Sequence, residues 1–99
     1  MNKNPTVYVV NKSGHDYSDA ERYGKLHFIT EGTLDRFNVN NMHRICSDTF
    51  QTARPNDYIL ITSLTILCAV ACATFAQRFN TLNLLIFKDG KYIERRLIL

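Results

Sequence analysis

Two neighbouring residues suited to proton chemistry, His15 and Asp16, stand in the stretch SGHDYSDAERYG, Ser13 to Gly24. An imidazole beside a carboxylate could act as a general base with an orienting acid. Adjacent loop residues seldom hold that geometry, and a surface histidine in a polar loop is the plain alternative. Binding asks less of them. Asn11, Ser13, His15 and Asp16 offer donors and acceptors to a phosphorylated or nucleotide-like ligand. Thr62 and Ser63 add hydroxyls where a helix is expected to open, and the free amides of a helix start favour an anion. His43, Cys46, Cys68 and Cys72 form four soft ligands on paper. Their spacing matches no zinc motif, and thiols in an apolar helical run stay protonated, so core packing without a bound metal is expected. GxGxxG, GxxxxGK[ST] and GxSxG are all absent, and no carboxylate pair stands out. The balance leans to binding over catalysis, with no cofactor implied.

These residues need elements to place them. Thr6–Val10 (TVYVV) is β-branched and aromatic without alternation, as in a strand buried on both faces. Ser18-Asp19-Ala20-Glu21 fits a capping box, and Gly24 suits a left-handed helix end, which predicts a short helical turn. Lys25–Thr30 alternates as a second strand. Val39, Met42, Cys46, Phe50 and Ala53 form one helical stripe, with Asn38 as its cap and Pro55 as its stop. Tyr58–Thr62 reads as a central strand and Leu64–Phe79 as a buried helix capped by Thr62 or Ser63. Asn83–Phe87 reads as a further strand. Asp89-Gly90 is type I′ hairpin chemistry and returns the chain as an antiparallel edge strand, guarded by Arg95 and Arg96.

The pattern predicts a small three-layer, Rossmann-like α/β domain over residues 1–99. Its sheet is mainly parallel, with strand order 2-1-3-4-5 and a C-terminal antiparallel hairpin. The competing arrangement is an α+β sheet whose first two strands form a hairpin. In the parallel form, ligands bind beyond the carboxyl ends of the strands where the order reverses. That brings NKSGHDY and TSLT together, with TEGTLDR, carrying Glu31 and Arg36, as a third wall.

The chain has 99 residues, 45% hydrophobic, and a formal charge of +3, ordinary for one folded domain. Lys88, Lys91, Arg95 and Arg96 cluster at the final hairpin, but Asp89 and Glu94 dilute them. No aromatic–basic interleaving is present, so a nucleic-acid partner is not expected. Three cysteines give no disulfide framework and suit a reducing cytoplasm. The opening MNKNPTVYVV lacks the apolar core of a leader. Tyr58–Ala76 carries no charge, but its β-rich first part and Ala-rich second part read as strand then helix, not as a membrane span. The helix is apolar on nearly every side, and the chain closes on Leu97-Ile98-Leu99. Both features predict a homo-oligomer.

The stretch VNKSGHDYSDAERYGKLHFITEG, followed by DYILITSLTILCAVACA, resembles small bacteriophage-encoded proteins. The resemblance assigns no residue roles. It implies a cytoplasmic protein made during infection that handles nucleotides or counters a host defence. The leading expectation is therefore a non-enzymatic protein that binds, and in a phage sequesters, a nucleotide signal through Asn11, Ser13, His15, Asp16, Thr62 and Ser63. The alternatives are an interaction module or inhibitor of a host protein, and a small hydrolase or phosphotransfer enzyme using His15 and Asp16.

Overall fold

The computed structural model describes residues 4–99; the first three residues of the stretch read as lacking a leader lie outside them. Five strands lie in the order β2-β1-β3-β4-β5. They are β1 (Thr6–Lys12), β2 (Lys25–Glu31), β3 (Tyr58–Leu60), β4 (Thr81–Lys88) and β5 (Lys91–Ile98). The first four are parallel where they pair, and β5 runs antiparallel to β4. The first two strands therefore form a parallel crossover, not a hairpin.

The chain steps one way from β1 to β2, then back across the sheet to β3 and β4. Crossovers of constant hand must then switch faces at the reversal. The helices α1 (Val39–Thr49) and α2 (Thr65–Phe79) accordingly share one face. There Met42, Cys46 and Phe50 meet Leu67, Ala71 and Phe75 over Tyr8, Val10 and Ile59. A 3-10 turn, Ser18–Arg22, covers the other face, where Tyr17 and Ala20 pack on Val7, Val9, Leu60 and Leu85. The third layer is thus one short turn. Both faces of β1 are covered, which explains its unbroken apolar run.

Several boundaries follow local chemistry. Asn38 caps α1 by accepting from the Asn41 N–H at 3.1 Å, as expected. The helix continues as a 3-10 turn, Phe50–Thr52, before Pro55 stops it. The capping box at Ser18 does not form. Asp16 does that work, its Oδ1 accepting from the Ser18 N–H at 2.9 Å. Gly24 is not left-handed; a Cβ there would clash with the Pro5 carbonyl oxygen, so close backbone approach demands the glycine. Asn80 supplies the left-handed end of α2, with φ 56°. Asp89 and Gly90 both have positive φ, 53° and 83°, as a type I′ turn requires.

Asp57 is 1% exposed and ties the strand starts together. Its carboxylate accepts from the Thr6 N–H at 2.9 Å and the Arg54 N–H at 2.8 Å. The buried Asn83 amide donates to the Asp57 and Pro55 carbonyls at 2.9 and 2.7 Å.

Candidate ligand site at the strand carboxyl ends

β1 and β3 part at their carboxyl ends, and the loops that follow them converge there. One hollow of about 300 Å³ is lined by the hydroxyl side chains Ser13, Thr62 and Ser63, by the rings His15, Tyr17, Phe87 and Tyr92, and by Ile61. A second, of about 240 Å³, adjoins it through Ser13 and Ser63 and is lined further by Asn11, Thr33 and Arg36. Small-ligand sites typically run from about 300 to 1,000 Å³, so the two side by side suit one small molecule.

The loop after β1 takes its shape from Tyr17. This buried side chain donates its hydroxyl to the Asn11 carbonyl at 3.1 Å and accepts from the Ser13 N–H at 3.1 Å. Ser13 Oγ also lies 3.1 Å from that hydroxyl. Thr30 Oγ1 meets Asn11 Oδ1 at 2.7 Å, which orients the Asn11 amide. Gly32, at φ 72°, donates its N–H to the Lys12 carbonyl at 3.2 Å, so the β1–β2 ladder ends where the loop after β2 begins.

The wall from β3 depends on Cys68. Its thiol donates to the Thr62 carbonyl at 3.3 Å and accepts from the Thr62 N–H at 3.4 Å. Those bonds turn the chain out of β3 earlier than its composition predicts. Neither Thr62 nor Ser63 caps α2: Leu64 is the cap residue, and no side chain satisfies the first turn. The Thr62 hydroxyl instead accepts from the Leu64 N–H at 3.4 Å. The first-turn amides of α2 thus have no side-chain cap.

Of the residues singled out by sequence, Ser13, His15, Thr62 and Ser63 line the first hollow and Asn11 lines the second. Asp16 lines neither. Its exposed carboxylate is held below the ordinary carboxylate range by the Ser18 backbone and then the Ser18 hydroxyl, with a smaller contribution from His15. No hydrogen bond joins His15 to Asp16. The His15 ring instead makes T-shaped contacts with Phe87 and Tyr17, at 5.0 and 5.3 Å between centroids. Sequence reasoning missed Phe87 and Tyr92, which face each other across the hairpin. The signal was available, since β4 is parallel to β3 and ends at the same rim, but NLLIF patterns as plain core.

Burial pushes the Cys46 and Cys72 thiols up to about 11, so they stay protonated and take no part. Among the described residues, no group of three or more His, Cys, Asp or Glu side chains could hold a metal ion. Another hollow, of about 410 Å³, lies at the opposite end of the strands beside Asn4 and Glu21–Leu26. Its guanidinium, Arg22, is already committed to the Tyr92 carbonyl at 2.7 Å.

A sequence profile of phage Pam3 gp32-like proteins matches residues 5–98. The chain belongs to this phage protein family. The match spans every strand, both helices and both walls of the rim. No curated protein and no solved structure matches the chain. Among the described residues, no helix is long and apolar enough to cross a membrane.

Proposed function

We propose that this phage protein is a cytoplasmic, non-enzymatic binding protein for a phosphorylated, nucleotide-like small molecule, and that it sequesters such a signal of the host. The observation that carries the reading is the meeting of the β1 and β3 loops around adjoining hollows, one aromatic and one polar. Ser13, Thr62, Ser63 and Asn11 offer hydrogen bonds there, and Arg36 brings a positive charge. The hydrogen bond of Asp16 to the Ser18 N–H, and not to His15, favours binding over a hydrolase that would use the pair.

A thermal-unfolding panel of inorganic phosphate, mononucleotides, dinucleotides and cyclic dinucleotides tests this. A ligand held at a hundred times its Kd adds about 2.7 kcal/mol to stability. In a domain of this size that is a rise on the order of 10 °C in Tm. A panel with no shift contradicts the proposal. So does steady conversion of a hit to product.

The second reading is self-association, and the hairpin favours it over α2. The inner face of α2 is covered by α1 and the sheet, and Ile66, 38% exposed, is the one large apolar residue it presents widely. Leu97, Ile98 and Leu99 are 50, 82 and 69% exposed along or just beyond the free edge of β5. Antiparallel pairing of two β5 edges about Arg95 would set Glu94 against Arg96 twice and Ile93 against Leu97 twice, at the cost of setting the edge-guarding Arg95 against its own copy. Light scattering at twice 11.4 kDa supports this pairing, and 11.4 kDa rules it out.

A further inference from the structure

The first hollow contains a feature that binding a bare phosphate does not use. Phe87, near the end of β4, is 45% exposed although it sits at a rim otherwise closed by packed rings. Its neighbours hold it edge to face: His15 at 5.0 Å and 90° between planes, and Tyr92 at 5.1 Å and 61°. Tyr17 in turn stands edge-on to Phe28 at 5.8 Å, so the cluster is anchored into the sheet. Such contacts fix the orientation of the Phe87 ring and leave much of it uncovered. An apolar ring so exposed gains by being covered, and a flat heteroaromatic ring can cover it by stacking.

Polar groups frame this surface. Thr62 and Ser63 line the same hollow, where their hydroxyls can bond the edge of a heterocycle. The polar hollow, with Arg36, opens next door through Ser13 and Ser63. From this division we infer that the site takes a nucleoside monophosphate, its base stacked on Phe87 between His15 and the Thr62–Ser63 hydroxyls, its phosphate in the polar hollow. The inference rests on the anion-binding reading above and adds the base to it.

Calorimetric titration of the intact protein tests the assignment. The probes are the four ribonucleoside 5′-monophosphates and, as a ligand without a base, ribose 5-phosphate. The variants are Phe87→Ala and Phe87→Leu, the second keeping apolar cover without a π face. Both are checked by circular dichroism, and an exposed side chain tolerates either change. At least one monophosphate should bind about tenfold or more tighter than ribose 5-phosphate. Phe87→Ala should remove most of that advantage and Phe87→Leu a smaller part of it, and both should leave ribose 5-phosphate binding unchanged. Equal binding of all probes overturns the base assignment and leaves the anion site standing. A tighter monophosphate that ignores both substitutions overturns it too, by placing the base elsewhere. No binding of any probe removes the anion reading and this inference together.

Discussion

Tyr17 turns a polar loop into a wall. Its ring is buried under the sheet while its hydroxyl bonds two backbone groups of the loop that precedes it. Tyr17→Phe keeps the ring and removes that hydroxyl. The Ser13 N–H and the Asn11 carbonyl then lose their shared partner, a loss of about 1 kcal/mol in urea unfolding. Ligand affinity should fall with it, because Ser13 borders both hollows. Unchanged affinity in a destabilised Tyr17→Phe would remove Ser13 from the site. Asp57 acts at the other end of the strands, where its carboxylate satisfies two backbone donors. Asp57→Ala strands both, and roughly 2–4 kcal/mol should disappear in the same measurement. A loss under about 0.5 kcal/mol, the level of an ordinary surface change, would contradict that role.

Among the elements, the 3-10 turn Ser18–Arg22 is clipped to β5. Asp19 Oδ2 accepts from the Tyr92 N–H at 2.7 Å, and Arg22 and Tyr23 donate to the Tyr92 carbonyl at 2.7 and 2.9 Å. The clip closes one end of the exposed edge, where an unpaired strand would otherwise invite pairing. It also carries a pH dependence. The Tyr92 N–H holds the Asp19 carboxyl below its ordinary range; Arg22 and Lys91 assist, and partial desolvation opposes them. Asp16 is lowered likewise by the Ser18 backbone. A carboxyl whose pKa is lower in the folded state stabilises the fold above its unfolded value. That contribution is lost as pH falls through the folded one. Tm should therefore drop as pH falls below about 4, and Asp19→Asn should flatten part of the drop. An Asp19→Asn profile parallel to the parent would place the acid sensitivity elsewhere.

At the scale of the whole molecule, the β-branched runs, the stripe from Val39 to Ala53 and the Asp89-Gly90 turn were enough to read the sheet order. That order then dictated which loops meet at the rim, so the neighbourhood of Ser13 and Ser63 could be read without coordinates. Other features depend on contacts between distant segments and leave no local pattern. Gly24 answers to the Pro5 carbonyl, not to a helix end. Cys68 holds the Thr62 turn, although its setting reads as core. Phe87 and Tyr92 look like strand interior until the hairpin is seen to end beside His15. Asp16 looked chemical because it follows a histidine, yet the next turn claims its carboxylate.

The central claim, that a phosphorylated ligand sits between the β1 and β3 loops, is tested most directly by amide chemical shifts. Nitrogen-15-labelled protein would be titrated with adenosine 5′-monophosphate and, separately, with inorganic phosphate. The account predicts saturable shifts at Ser13–Tyr17 and Ser63–Ile66, with Phe87 and Tyr92 joining for the nucleotide alone. Shifts gathered instead at Asn4 and Glu21–Leu26, or none for either probe, would contradict it.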